Sequence, residues 1–277
     1  MQNLKLKPQL RGGGNNQIVT EYTRLMERST YYYRMAEWTL IQELYADTWT
    51  APASVNYSVK PYSVSQSTGR LDAEYYQPKY DALFNVLSHF EYNTIAEIAT
   101  LRKSIEPGSE AYKEEGVPFV RVSDITNHGI SEPNIYLSRT EYNVEELRPK
   151  KDTILLSKDG SVGIAYKVEE DLDCITSGAL LHLNVYNKNY LPDYLTLVLN
   201  SIVVQMQAER DSNGAIIQHW KPSEIERVVI PYLPMETQRA IVSKIQQSFA
   251  LRKESKRLLE QAKQLVEYEI ENNKICQ

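Results

Sequence analysis

Cysteine, histidine and glycine are scarce in this chain, and no apolar run is long. Of its 277 residues, two are cysteines, four are histidines and 11 are glycines. Cys174 and Cys276 lie far apart and belong to no C-x-x-C or Cys/His spacing, which excludes a structural zinc site and a disulfide framework. The apolar stretch Leu195–Val204 is broken by Asn200 and reaches about half the length a bilayer requires, so a buried helix fits it better than a membrane span. No signal-peptide h-region follows Met1. The expectation is a soluble, cytoplasmic protein without a membrane partner. Catalytic signatures are missing too. There is no [DN]-P-P-[YF] motif, no S-adenosylmethionine-type G-x-G loop, no Walker A sequence, no H-E-x-x-H and no G-x-S-x-G. No catalytic residue and no metal ligand is therefore assigned.

The length allows one large domain or two smaller ones with a proper core. The net charge of −5 is unevenly spread. Residues 70–234 hold 16 Lys and Arg against 25 Asp and Glu, whereas the segments on either side are slightly basic. An acidic body argues against a broad basic patch for nucleic acid.

Residues 1–17, with Gly12-Gly13-Gly14 and Asn15-Asn16, read as a flexible tail. The next stretch, 18–47, lacks glycine and proline, and Tyr22, Met26, Ser29, Tyr33, Ala36 and Leu40 recur at alternating spacings of four and three. That is the seam of an amphipathic helix. Residues 48–70 read as an extended connector. A short helix is expected from Pro78 to His89, then a mixed α+β body over 71–234. Within the body, "GVPFVRVSDI" reads as a half-buried strand, Thr153–Ser157 and Ile164–Val168 as strands around a tight loop, "DCITSGALLHLNV" as another strand pair, and "PDYLTLVLNSIVVQMQAER" as one buried helix.

The final segment, 235–271, reads as a single helix of roughly 36 residues, about 54 Å long. Ile241, Ile245, Leu251, Leu258, Leu259, Leu265 and Val266 form its apolar stripe, with Arg252 and Ser255 as polar breaks. Pro231 and Pro234 end the strand before it, and Pro234 and Glu236 suit the first helical positions. The fold class expected is α+β, one mixed body flanked by long helices that pair as an antiparallel coiled coil.

At this joint the chain resembles a known family. Glu236, Gln238, Ile241-Val242 and Ile245 match the pattern E-x-Q-x-x-I-V-x-x-I that closes a target-recognition domain in type I restriction–modification specificity subunits. Thr237 stands where that family usually has an acidic residue. "LDAEYYQPKYDAL", "GVPFVRVSDI", "DTILLSKDGSVGIAYKV" and "NGAIIQHWKPSEIERVVIPYLP" follow in the family's order, and the resemblance covers about residues 70–270. It implies a non-catalytic subunit that reads one half of a split site in double-stranded DNA. The helices act as a ruler between half-sites, and Gln238 and the apolar stripe serve helix packing and docking. Methyltransferase subunits and a restriction/motor subunit are the implied partners, and S-adenosylmethionine, ATP and Mg²⁺ belong to them. A single recognition domain with helices on both sides resembles a half-subunit that forms a homodimer, or the second half of a longer chain.

Three stretches carry candidate DNA contacts. Lys158 and Ser161 sit in a Gly-containing loop that also reads as a plain hairpin turn. Arg121 and Ser123 fall on one face if "VRVSDIT" is a strand, and the same face also reads as ordinary surface with Asp124 capping a turn. Gln218, His219 and Lys221 flank Trp220, which reads equally as the half-buried anchor of a surface turn. Arg102-Lys103 and Lys150-Lys151 read chiefly as solvated charges. Ser223–Glu226 matches a helix capping box. Two other classes stay open: a coiled-coil interaction module whose α+β body binds protein rather than DNA, and an enzyme with an unrecognised site.

Overall fold

The computed structural model describes residues 13–44, 50, 52–55, 62–212 and 218–275. In chain order the helices and strands are α1 (Gly13–Glu43), α2 (Tyr62–Thr68), α3 (Pro78–Leu87), β1 (Tyr92–Thr94), α4 (Ile95–Ile98), β2 (Ala99–Lys103), β3 (Val117–Val120), β4 (Ile125–Thr126), β5 (Gly129–Ile130) and β6 (Tyr136–Leu137). Then come β7 (Ile154–Ser157), β8 (Ala165–Lys167), β9 (Ile175–Thr176), β10 (Leu180–Val185), α5 (Pro192–Asn200), α6 (Ile202–Ser212), α7 (Pro222–Ile225), β11 (Val229–Pro231) and α8 (Met235–Ile275). The chain divides into two compact units. One takes α1 up to Trp38 and α8 from Ser243; the other is Thr39–Val242. The fold class is α+β, as the residue pattern led us to expect.

In the first unit, α1 and α8 run antiparallel. Ser248 Oγ donates to the Ser29 carbonyl at 2.7 Å and lies 3.0 Å from Ser29 Oγ, while Ser255 Oγ approaches Met26 Sδ at 3.0 Å. Tyr33 packs edge-on against Phe249. The α1 seam contains Leu25, Ser29, Tyr33 and Ala36, all buried. On the part of α8 that belongs to this unit the buried positions are Ile245, Ser248, Ser255 and Ala262. Three small residues recurring every seventh position let the two backbones approach closely, which a leucine at those positions would prevent. The stripe expected from hydrophobicity is thus displaced. Leu251, Leu258, Leu259 and Leu265 are only half-buried, Val266 is 42 % exposed, and Ser255 is the centre of the seam instead of a break in it.

The second unit is built on an antiparallel four-stranded sheet in the order β2-β10-β7-β8. Ile154, Leu155, Leu156, Leu180 and Leu183 are fully buried in it. A second, mixed sheet has the order β6-β3-β9, with β3 and β9 parallel. The hairpin β7–β8 forms as expected. The pair expected at residues 173–185 forms as two strands in different sheets, because β9 pairs with β3 while β10 sits between β2 and β7. Lys167, at the end of β8, is buried among Asp152, Glu169 and Asp193 at 3.2–3.3 Å and so ties β8 to the first turn of α5. Burial alone would push its ammonium pKa down; Asp193 and Glu169 more than offset this, and it is raised.

Three other expectations change. Helix α1 begins at Gly13, not Ile18. The connector contains α2, and Gln77 pins its extended part by exchanging two 2.8 Å hydrogen bonds with the Val55 backbone. The helix expected over 192–210 breaks at Ser201, whose Oγ bonds the Val198 carbonyl at 2.7 Å. The Asn200 amide simultaneously pairs with both backbone groups of Ala165, so the break buttresses β8. Residues 1–12, much of the connector and 213–217 lie outside the described residues.

The proline-bounded exit is anchored within this unit. Pro231, lacking an N–H, ends β11 opposite Tyr92, and buried Tyr194 donates to its carbonyl at 2.8 Å. Gln238, in the first turn of α8, is fully buried. Its amide donates to the Asn189 and Leu233 carbonyls and accepts from the Leu191 N–H. Both amide hydrogens and the carbonyl oxygen are engaged inside the body, so Gln238 anchors the helix start. Ile241 and Val242 are buried one turn further on.

Candidate nucleic-acid interface

The sheet registers bring several strand ends to one place. β2 and β7 both run antiparallel to β10, with Lys103 opposite Leu181 and Ser157 opposite Leu180, so their C-terminal ends meet at the start of β10. β3 and β9 run parallel, so Val120 and Thr176 end together. Residues 177–179 then join β9 to β10 and stitch the ends to one another. Ser177 N–H bonds the Val120 carbonyl at 2.8 Å, Gly178 N–H the Ile105 carbonyl at 2.7 Å, and Lys158 N–H the Ala179 carbonyl at 2.9 Å. Loops leaving the C-terminal ends of four strands therefore share one edge of the body.

The loop after β7 is held from within. Ser157 Oγ donates to the Ser161 carbonyl at 2.6 Å and accepts from the Ile164 N–H at 2.8 Å. Gly160 has φ 72°, and Gly163 has φ 88°, where the left-handed backbone favours glycine. Gln205 on α6 braces Gly163 through its carbonyl at 2.8 Å. This loop pairs with residues 218–220 like two short antiparallel strands. Gly160 N–H donates to the Gln218 carbonyl at 3.0 Å, and Trp220 N–H to the Lys158 carbonyl at 2.8 Å. Trp220 anchors the second loop, and it is wholly buried where the turn-anchor reading expected it half-buried.

Five of the seven candidate contacts thus stand together: Lys158, Ser161, Gln218, His219 and Lys221. Their exposures differ. Ser161, His219 and Lys221 are exposed and Gln218 is half-buried, but Lys158 is only 4 % exposed, with its ammonium on Asp159. Asp159 also takes His219 Nδ1 through its other oxygen. Lys221 Nζ lies 3.6 Å from Glu224, which also caps the Lys221 N–H at 3.1 Å. Glu224 thus caps the start of α7 through the Lys221 N–H, with Pro222 in the first turn, and the box expected from Ser223 to Glu226 does not form.

Arg121 and Ser123 are not on a strand face. β3 ends at Val120, and residues 122–124 form a 3₁₀ turn that Asp124 caps by accepting the Arg121 N–H at 2.8 Å. The Arg121 guanidinium reaches Asn134 at 3.2 Å and Asp124 at 3.6 Å, and Ser123 Oγ donates to Asp124 at 3.1 Å. The backbone bond from Ser177 to Val120 links this turn to the paired loops.

Every candidate cation in the three stretches has a carboxylate neighbour: Asp124 for Arg121, Asp159 for Lys158 and Glu224 for Lys221. The edge is therefore close to neutral and offers hydrogen-bonding groups in place of a strong field. Asp159 joins two of the candidate residues, and a run of charge alternation in Lys158-Asp159 was the only sequence sign of it. Among the described residues no group of three or more His, Cys, Asp or Glu is placed to hold a metal ion, and no helix is long and apolar enough to cross a membrane. Cys174 is buried, which pushes its thiol up to about 12.

The chain is 24 % identical over 148 residues to the type I restriction enzyme EcoBI specificity subunit of Escherichia coli, an alignment covering 53 % of this chain and 31 % of that protein. It superposes on the HsdS subunit from Thermoanaerobacter tengcongensis with a TM-score of 0.44 at 18 % identity, covering 89 % of this chain and 57 % of the other. The type IIG restriction endonuclease BpuSI gives a TM-score of 0.50 at 10 % identity over 73 % of this chain and 35 % of its own, a likeness of fold alone. This chain thus spans about half the length of the solved specificity subunit and matches less of the curated one. Residues 88–264 match the model for the type I restriction modification DNA specificity domain, and the chain belongs to that family.

Proposed function

We propose that the body, Thr39–Val242, reads one half of a split site in duplex DNA and that the paired helices carry the methyltransferase subunits which modify an adenine there. The observation that carries this reading is the zipping of residues 158–161 to 218–221 at the shared strand edge of a chain in the DNA specificity family. The zipped loops present Ser161, the half-buried Gln218, His219 and Lys221 from a braced backbone. An amide such as that of Gln218 is suited to adenine N6/N7, and a serine hydroxyl to any base edge or phosphate. Arg121 and Ser123 extend the same edge. Lys158 serves as a buried support for the loop.

A half-site of about four base pairs, at roughly 1–3 kcal/mol per mismatch, discriminates only partly, so two readers at a fixed separation are needed. An α8 of about 60 Å supplies that separation. The second reader is a second copy of this chain or the rest of a longer one. Methyl donor, ATP and Mg²⁺ reside on the methyltransferase and motor subunits; this chain positions DNA and does no chemistry itself. Methylation requires the adenine to be flipped into the partner's pocket.

A gel-shift series with the methyltransferase subunit present, across a range of salt concentrations, tests the reading. Sequence-selective retention of a duplex carrying the site supports it, and equal retention of unrelated duplexes contradicts it. The acidic body favours a second reading, in which the chain binds only protein. Absence of any DNA retention, with a stable complex between the chain and the methyltransferase, would support that one.

A further inference from the structure

The Glu224 carboxylate faces two cations through one oxygen. Its Oε1 lies 3.6 Å from Lys221 Nζ and 3.7 Å from Arg70 Nη1, while its Oε2 accepts the Lys221 N–H at 3.1 Å. The three side chains differ in freedom. That of Glu224 is 11 % exposed and that of Arg70 20 %, but that of Lys221 is 62 % exposed, so Lys221 is the one able to leave. A largely buried carboxylate needs a cation beside it, because an unpaired charge away from water is costly. Lys221 therefore turns outward cheaply only where Arg70 stays.

Arg70 is held in place from several sides. It follows α2 in the connector, and its guanidinium meets Asp72 as a fork, with Nε 2.7 Å from Oδ1 and Nη2 2.8 Å from Oδ2. Its Nη1 also donates to the Asp211 carbonyl at 3.0 Å. The Tyr75 ring centroid lies 4.8 Å from its Cζ, and Arg210 packs over the same ring at 4.9 Å. Asp211 stands near the end of α6 and Glu224 in α7, so one guanidinium touches the chain on both sides of residues 213–217, which lead into Gln218. A lysine, with a single ammonium, does not make the fork and these other contacts at once.

We propose that Arg70 is a positioning residue for the second reading loop: by holding Glu224 it leaves the Lys221 ammonium free to meet a backbone phosphate of duplex DNA. The inference rests on the DNA-reading function above and deepens it, because it names what releases a cation at an edge otherwise close to neutral. When a phosphate arrives, Lys221 gives up a loose surface pair at 3.6 Å, and Glu224 keeps Arg70. The exchange costs little, since pairs made by exposed side chains are weak. Phosphate contacts fix register without carrying sequence information, so Lys221 sets where its neighbours Gln218 and His219 stand against the bases. Without Arg70, Lys221 is the one cation left to Glu224 among its described ion-pair partners, and it stays on the protein.

The test measures binding of the chain, with its methyltransferase subunit, to a duplex carrying its site and to a scrambled duplex over a salt series, with a thermal midpoint for every variant. Lys221→Ala is expected to weaken both duplexes by the same factor and to reduce the slope of log affinity against log salt by about 1. Arg70→Gln is expected to reduce the slope by the same amount, and the two substitutions together to reduce it no further. Glu224→Gln keeps an oxygen for the Lys221 N–H. It is expected to leave the slope unchanged by itself and to restore it when combined with Arg70→Gln. A purely structural Arg70 would give no such rescue: binding and midpoint would fall in both backgrounds, and the proposal would be overturned. A slope steepened by about 1 in Glu224→Gln alone would mean that Glu224 keeps Lys221 on bound DNA, which also overturns it. That arm decides the matter if Arg70→Gln does not fold. An unchanged slope in Lys221→Ala, with the wild type still selective, would overturn the phosphate contact and leave the reading function standing. A wild type that retains no duplex would overturn both.

Discussion

Gly160 donates its backbone N–H to the Gln218 carbonyl at 3.0 Å, and that bond joins two loops far apart in the chain into one edge. Gly160 has φ 72°, and a Cβ there would meet nothing within 4 Å. The glycine is needed for its backbone angle, or for what approaches it from outside, and not for internal space.

Substitution at Gly160 separates those two needs. Asparagine tolerates the left-handed angle and valine does not. Gly160→Asn should therefore keep the fold within about 0.5 kcal/mol, and Gly160→Val should lose about 1–2 kcal/mol by denaturant titration. If the open face meets DNA, both variants lose duplex affinity by gel shift while only valine loses stability.

Asp159 holds the Lys158 ammonium and His219 together. Asp159→Asn removes a negative charge from the candidate edge and loosens both. Affinity for unrelated duplexes should rise, and the salt slope should steepen by about 1. Preference for the specific site should fall, as measured by competition between the two duplexes.

The helix seam predicts an inversion of the usual hydrophobic rule. Ser248 lies against the Ser29 backbone, so Ser248→Leu should overpack the pair and cost about 1–3 kcal/mol. Val266→Ala, at a position 42 % exposed, should stay within about 0.5 kcal/mol. Ile241→Ala, fully buried, should cost about 2–5 kcal/mol. Chemical denaturation of the three variants checks the order.

His182 predicts an acid sensitivity. It is 1 % exposed, with Thr176 Oγ1 at 2.7 Å from Nε2 and Arg102 at 3.3 Å from Nδ1. Burial, helped by the Arg102 charge, pushes its pKa down to about 4. An unfolded histidine titrates near 6.5, so between these values the unfolded chain binds the extra proton. Its contribution is complete above about pH 6.5 and is lost as pH falls toward 4, on the order of 3 kcal/mol in all. His182→Gln should flatten the fall in thermal midpoint across that window.

Much of this was legible in the residues because it is local. The α3 start at Pro78, the β7–β8 hairpin, the α1 seam and the long α8 all follow from nearby spacing and turn chemistry. What was hidden is non-local or concerns small residues. The parallel pairing of β3 with β9 joins segments that carry no sign of each other. Leu251, Leu258 and Leu265 dominate any count of hydrophobicity, yet the helices meet at Ser248, Ser255 and Ala262, because closeness and not apolar bulk sets that seam. The break at Ser201 needed the Ala165 backbone to make it worthwhile. At the candidate edge, Lys158 and Gln218 could be named from their loops, but the burial of Lys158 by Asp159 exists only once four strand ends are brought together.

The central claim is that the zipped loops read bases for an adenine methyltransferase. Methylation sequencing of cells carrying this chain with its methyltransferase subunit, wild type against Gln218→Ala, tests it most directly. The account predicts a split motif methylated on adenine in both strands, with the variant relaxed at one position of one half. An identical motif in both strains, or methylation with no split motif, would contradict it.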